Sequence, residues 1–540
     1  MKSPTPLPSH LGARRLIHVF LGAILLIGMG QLHAQNNPPP PITEANIPEL
    51  EAMLTQELQH FVDRQPRLPG QARKINVRVS VDLSTSDILI DLGIGYIPRG
   101  DFRITEELNN KLIGVSRQAD DILSGIVTYR MLSIRFDGKR IQDIFPDDFS
   151  PRHLKGTSQR AARDDLDLIV VSPGHGYYYH HGSQSWVLQR PDPYAGTANI
   201  YEDLVTPAYS DTLTSLLLER SHETIAAIAN TRRTTDSTIH PESGHPWWMM
   251  GARYMLKDLH PDKPELWNMF PNGTEPGRIN LREYDEDIRS RPEYANFLGA
   301  HLLISLHTNA APSNPQTRGA DIFIAPDDAE SATIARSVAC HMREQIQATP
   351  SYKDYQVNLD PLPGQHGENT RANMPSILIE LGFATNLQDA IALRSPAFRA
   401  AAMRGVEKGY RSYKQGEASC EQFSITDIPN ATASREQPAR IPISFSGYPQ
   451  FPVRQTIQAA SCPSGWICRG NELIHQNGPS PLHFTSTCNV GTAGTVRWRT
   501  TLIDSDGVKT EPFESEVVCL PSSGSTASQA AATNSAEITL

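Results

Sequence analysis

Asp165-Leu166-Asp167-Leu168-Ile169-Val170-Val171-Ser172-Pro173-Gly174-His175-Gly176 decides the fold class. The apolar run from Leu166 to Val171 reads as a buried strand, and Pro-Gly-His-Gly breaks it so that His175 is delivered to a strand end. Two further runs repeat this logic: HLLISLHTNAAP (301–312) carries an apolar strand up to His307, and SILIELGF (376–383) carries one up to Glu380. Between them NIYEDLVTPAYSDTLTSLLLER (199–220) opens a helical periodicity at Glu202. Strands alternating with helices predict an α/β fold, and open α/β sheets collect their chemistry at strand ends.

Zinc takes imidazole nitrogen and carboxylate oxygen, and a catalytic site uses three protein ligands and leaves a position for water. His175, Glu202 and His307 supply that donor set. Glu380 is then a candidate acid/base able to take a proton from water and return it to a leaving amine. Taken singly, each residue also has an ordinary role: a histidine after a strand packs in a loop, and a glutamate in a first helical turn answers the helix dipole. A charge inside SILIELGF, however, is expensive to bury without a purpose.

In order along the chain, PGHG, Glu202-Asp203, Thr231-Arg232, Arg291 with Ala295-Asn296, SLHTNAAP and MPSILIELGFATN resemble the zinc-dependent N-acetylmuramoyl-L-alanine amidases over roughly residues 165–415. The resemblance implies a mixed twisted sheet flanked by helices, one zinc per chain on His175, Glu202 and His307, and Glu380 as acid/base. It implies a peptidoglycan substrate, cut at the amide between N-acetylmuramic acid and L-alanine of the stem peptide. Ser172 stands where the family usually has Asp, and Tyr177 where it has a second glycine, which bears on cleft shape rather than reaction type. Two other readings use the same residues: a catalytically silent wall-binding protein, and a zinc peptidase acting on another amide.

Other polar residues compete for the site. His366, in PGQHGENTRANMP, Asn309 and Arg291 are candidates for substrate or ligand-supporting contacts. His180 and His181 sit in a Tyr- and Gly-rich stretch, and His240 and His245 in a Pro/Trp-rich one; all four read as loop residues. The insertion from Thr234 to Asn280 is expected to have little regular structure and to form a wall or lid of the cleft. Its tryptophans Trp247, Trp248 and Trp267 serve either sugar stacking or pinning to the domain. The segment from Ile324 to Pro375 reads as too short to hold an inhibitory helix beyond its ordinary one.

The chain has 540 residues, enough for two or three domains. Arg14-Arg15 before LIHVFLGAILLIGMG, followed by Leu32-His33-Ala34, reads as a signal peptide over residues 1–34. Export, most simply to the periplasm, follows, and no later segment reads as a membrane span. Residues 35–44 form a Pro-rich linker. Residues 45–150 predict an α+β domain: an amphipathic helix from Ile47 to Asp63, strands in KINVRVSVDLSTSDILIDLGIGYI, a helix near ITEELNNKLIGVSRQADDIL, and a strand pair turning at Asp137-Gly138. This domain is a binding or targeting module, or a spacer. Residues 421–437 read as a linker, 438–520 as a small disulfide-bonded β-sandwich, and 521–540 as a disordered tail. Cys488 is expected to bond Cys519, and Cys462 to bond Cys468; Cys340 and Cys420 are left over and free to pair. The net charge of −10 argues against nucleic acid, and the two flanking domains offer surfaces for protein partners.

Overall fold

The computed structural model describes residues 40–100, 103–155, 166–190, 200–273, 278–312, 314–417, 420–521 and 536–539. The expected signal peptide and residues 35–39 of the expected Pro-rich linker lie outside these residues.

The N-terminal unit builds a three-stranded sheet, β1 (Arg78–Asp82), β2 (Asp87–Asp91) and β3 (Met131–Arg135), in that order. Helices α1 (Ile47–Arg64) and α2 (Glu106–Leu123) join it in one core, because α1 buries Leu50, Leu54, Leu58 and Val62 at helical spacing. Thr105 caps α2 by accepting the Leu108 N–H. The turn expected at Asp137-Gly138 forms, with both residues at positive φ. No second strand follows it; after a single bridge from Phe136 to Lys139 the chain enters a short helix, Ile141–Ile144.

The central six-stranded sheet comprises β4 (Asp167–Pro173), β7 (Ile225–Asn230), β8 (Leu302–Asn309), β9 (Asp321–Ile324), β10 (Leu362–Pro363) and β11 (Ser376–Phe383), ordered β10-β9-β11-β8-β4-β7. β9 runs antiparallel to β11 and the other pairs are parallel, which makes the sheet mixed. Period-two alternation splits each strand between two cores. Ile169, Val171, Ile304, Leu306, Ile377 and Ile379 pack with α3 (Glu202–Arg220), α6 (Ala329–Gln347) and α7 (Pro396–Lys414). Val170 and Leu303 face the opposite way, against Ala295 of α5 (Arg282–Leu298) and Ala372. A two-stranded hairpin, β5 (Tyr177–His180) with β6 (Ser185–Leu188), follows His175.

The insertion is more regular than expected. It contains α4 (Ala252–Leu259) and single turns at Trp247–Met249, Pro264–Leu266 and Ile279–Leu281. Its tryptophans act as pins: Trp247 is buried and stacks under Arg233 at 4.2 Å, and Trp267 donates to the His260 carbonyl at 3.0 Å.

After α7, two five-stranded sheets pack around Trp498, Phe484, Ile443 and Val517. Two of their strands, Ser424–Asp427 and Ala431–Ala433, lie in the segment expected to be a linker. In the expected disordered tail, residues 536–539 form a strand paired with Leu482–Asn489; residues 522–535 lie outside the described ones. Disulfides join Cys462 to Cys468, Cys488 to Cys519, and Cys340 of α6 to Cys420.

The N-terminal unit is docked on the catalytic region by polar contacts. Arg117 of α2 pairs with Asp321 at 2.8 Å, Arg152 with Asp328 at 2.7 Å, and Asn109 accepts the Gln365 N–H at 2.9 Å. Among the described residues no helix is long and apolar enough to cross a membrane.

Candidate metal centre

His175 follows β4 and sits at φ 58°, in the left-handed region where a non-glycine residue is strained. The flanking glycines permit it. A Cβ on Gly174 would lie 2.6 Å from the His307 ring, and one on Gly176 2.6 Å from the Gly251 nitrogen. Glu202 is the first residue of α3. His307 and Glu380 lie inside β8 and β11 rather than at their ends, since both strands run on to Asn309 and Phe383. Glu380 stands in register with His307 on one side and Asp321 on the other, so three polar side chains form a row across an otherwise apolar sheet.

These elements bring His175, Glu202 and His307 together, with one donor atom of each within 4.8 Å of the others. Glu202 Oε1 is 2.8 Å from His307 Nδ1 and 3.6 Å from His175 Nε2, and it also accepts the Thr308 N–H at 3.0 Å. The two imidazoles meet edge to face, 4.9 Å between centroids. The three donors and Glu380 retain only 4–9% exposure.

The outer ring nitrogens are held in turn. Gln189 Oε1 lies 2.7 Å from His175 Nδ1, while its amide donates to Asp287 at 2.9 Å. Glu368 Oε2 lies 2.9 Å from His307 Nε2, and its other oxygen accepts from Arg291, which also pairs with Asp287 at 2.5 Å. Gln189, Asp287, Arg291 and Glu368 therefore close a buried loop of hydrogen bonds that orients both rings toward Glu202. Asp203 accepts the Gly176, Gln189 and Arg190 N–H groups, and Arg232 donates to the Gly174 and Asp203 carbonyls, which fixes the turn around His175.

Electrostatics follow from this packing. Burial, then the nearby cations Arg190, His307 and Arg291, lower His175 well below the ordinary imidazole value, so it is neutral and able to donate a lone pair. Burial works against charge on His307, but Glu368 and Glu202 outweigh it and push it up to about 10. Burial raises Glu368, yet His307 and Arg291 hold it well below the usual carboxylate range. Burial pushes Glu380 up to about 8, against the pull of His307 and with the negative charges of Glu202, Asp321 and Glu368 adding to the rise. Among the described residues Glu380 Oε2 has no hydrogen-bond partner.

Of the other residues singled out from sequence, Arg291 is part of the supporting loop. His366 lies behind His307; its ring meets Phe323 at 4.8 Å, and its Nε2 is buried without a partner among the described residues. Burial and the His307 charge push it down to about 4. Asn309 at the end of β8 accepts the Ala310 N–H on its side chain and is not part of the donor cluster. His180 closes a strand, His181 lies 3.1 Å from Glu283, and His240 bonds Ser243 at 2.9 Å; all are fixed by neighbours, but none joins the donor cluster. Sequence reasoning missed Gln189, Asp287 and Glu368. Only Glu368 left a signal, two residues after His366.

Two imidazoles and a carboxylate thus converge into a buried donor set that could hold a metal ion, with Glu380 paired in register beside His307. Residues 169–411 match the family model of the N-acetylmuramoyl-L-alanine amidases. The germination-specific N-acetylmuramoyl-L-alanine amidase of Bacillus subtilis is 30% identical over 148 residues, 27% of this chain. The match spans 57% of that relative's length. Among solved structures, an N-acetylmuramoyl-L-alanine amidase from Clostridium difficile is similar at 18% identity and TM-score 0.31, covering 47% of this chain and 100% of that one. The CwlD amidase of Clostridioides difficile, solved in complex with the GerS lipoprotein, is similar at 18% identity and TM-score 0.30, covering 46% and 99%.

Proposed function

We propose that the chain is an exported, zinc-dependent peptidoglycan hydrolase that cleaves the amide between N-acetylmuramic acid and L-alanine of the stem peptide. The observation that carries this reading is the convergence of His175, Glu202 and His307 within 4.8 Å, beside a buried Glu380 oxygen that no described group satisfies. The donor set fits zinc, which takes imidazole nitrogen and carboxylate oxygen. His175 Nε2, Glu202 Oε1 and His307 Nδ1 would hold one ion. When bound, it supplies Lewis acidity to the scissile carbonyl and to the attacking water.

The chain's own residues do the rest. Glu380 takes the proton from water as the new C–O bond forms, and returns it to the amide nitrogen as the C–N bond breaks. The products are the lactyl carboxylate on the glycan and a stem peptide with a free L-alanine amine. Gln189 and Glu368 keep the two imidazoles aimed inward, and Thr308 N–H holds the Glu202 carboxylate in place. Export to the periplasm is supported by the Arg14-Arg15 and apolar leader and by the pairing of all six cysteines, which suits an oxidising compartment.

Glu380→Ala is expected to keep zinc and fold while turnover on muropeptides falls at least about a hundredfold, the usual contribution of a general acid/base. His175→Ala should lose the metal itself. Retained turnover in the first, or stoichiometric zinc in the second, would reassign the residue concerned.

A further inference from the structure

Beside the centre, between the N-terminal unit and the catalytic region, lies a cavity of ≈ 320 Å³. Its walls include Arg103 ahead of α2, Arg289 on α5, and the segment from Gln365 to Arg371. That segment also carries Glu368, which supports the ring of His307.

The cavity is lined by four arginines and four acids, but among the described residues Arg103 and Arg289 have no acid within hydrogen-bond reach. Arg289 and Arg103 lie against the same Phe270 ring, at 4.7 and 6.0 Å from its centroid. The acid nearest Arg289 is Asp148, at 3.9 Å, beyond hydrogen-bond reach, and Asp148 already accepts the Ile104 N–H. Arg103 Nη1 is buried with no hydrogen-bond partner among the described residues. Arg371 is only partly committed, its Nε to Glu293 at 3.1 Å and one terminal nitrogen to the Asp147 carbonyl at 3.3 Å. Burial first, and then the nearby Arg371 and Arg103, push Arg289 down to about 10. Asp148 and Asp285 offset only part of this. Asp285 is engaged with Arg278 through two bonds, and Glu106 and Glu107 are exposed to solvent.

We propose that Arg103, Arg289 and Arg371 form a carboxylate-binding subsite for the stem peptide. This rests on the amidase reading above. On either side of the scissile amide the substrate differs in charge: N-acetylated sugars are neutral, whereas the residues after L-alanine carry free carboxylates. Guanidinium groups recognise carboxylates with paired N–H donors, and an unpaired buried guanidinium is costly until such a partner arrives. The subsite therefore takes the peptide side, and the N-terminal unit, which supplies Arg103, takes part in substrate selection.

The test compares kcat/KM on three synthetic substrates: N-acetylmuramoyl-L-Ala-D-Glu with a free α-carboxylate and its γ-carboxylate capped as the methylamide, the same capped compound with the α-group as carboxamide, and the α-carboxamide extended at the γ-position, in place of the cap, by a diamino acid bearing its own carboxylate. Losing a charge-assisted contact should cost about tenfold. The native enzyme should prefer a carboxylate-bearing substrate over the plain carboxamide by about that factor. Which carboxylate restores the rate names the residue recognised. In Arg103→Gln and Arg289→Gln the preference should fall toward unity, with Arg289→Lys intermediate and thermal unfolding confirming that each variant is folded. A ratio unchanged from native in folded variants, or no preference in the native enzyme, would overturn the subsite alone. Failure of the native enzyme on all three compounds would overturn the amidase reading and the subsite with it.

Discussion

Replacing Glu368 by Gln takes one negative charge out of the loop that orients His307 while preserving its shape. Glu368 Oε2 lies 2.9 Å from His307 Nε2, and its other oxygen accepts from Arg291, whose side chain is fully buried and whose remaining acidic partner is Asp287 at 2.5 Å. Hydrogen bonds to charged groups contribute about 1.5–3 kcal/mol each, and neutral ones roughly half that. Two bonds weakened in this way predict a loss of about 2–3 kcal/mol in the metal-free protein. Glu368→Ala, which strands the Arg291 charge beside a single acid, should cost more, about 3–5 kcal/mol. Because the amide no longer raises the basicity of the imidazole, zinc affinity of Glu368→Gln should fall about 10- to 100-fold. Competition against a chromophoric chelator reads the affinity, and denaturant unfolding of the metal-free variants reads the stability. Native zinc affinity in Glu368→Gln would refute the claim that Glu368 orients a ligand.

Other expectations come from elsewhere in the fold. Asp120, in the seam between the N-terminal unit and the catalytic region, accepts from Tyr129 at 2.7 Å and Asn358 at 2.8 Å, yet burial and Asp360 push its pKa up from 3.8 to about 7. Between those two values the folded chain binds the extra proton, so this group's contribution to stability declines as pH rises from about 4 to about 7. Asp120→Asn should flatten that part of the profile, measured as denaturation midpoints at about pH 5 and about pH 8; equal slopes in the two proteins would contradict it. Gly409 and Gly405 of α7 let that helix approach α6 closely, since a Cβ on either would come within 2.4 Å of the Val338 or Met342 Cα. Gly409→Ala should lose about 1–3 kcal/mol by overpacking, despite alanine's better helix propensity; a stabilised variant would mean that the helices are farther apart.

His307 and Glu380 were legible in the sequence because each interrupts an apolar run, LLISLHTN and SILIELGF, at a cost that burial makes visible, whereas Glu202 was marked only by the helical periodicity it opens. Strand ends were less legible. Both strands continue past the polar residue, and their length is set by pairing with neighbours rather than by the hydrophobic pattern. Gln189 and Asp287 were invisible because they meet across 98 residues of chain, and a lone Gln or Asp carries no periodic signal. The linker expected at 421–437 failed for a related reason. Ser424–Asp427 and Ala431–Ala433 are too short and polar to declare themselves, and only their pairing with Ala439–Ser446 and Phe513–Cys519 makes them strands. The role of the N-terminal unit was hidden likewise, since it meets the catalytic region largely through ion pairs and hydrogen bonds between distant residues such as Arg117 and Asp321.

The most direct test of metal-dependent cleavage at the muramoyl amide is mass analysis of the soluble products released from purified sacculi by the full chain, with zinc and with excess chelator. Release of stem peptides that begin with a free L-alanine amine, leaving glycan with intact lactyl carboxylates, and its abolition by chelator, is the predicted result. Peptides beginning at any other residue, cleavage within the glycan, or undiminished release in chelator would contradict it.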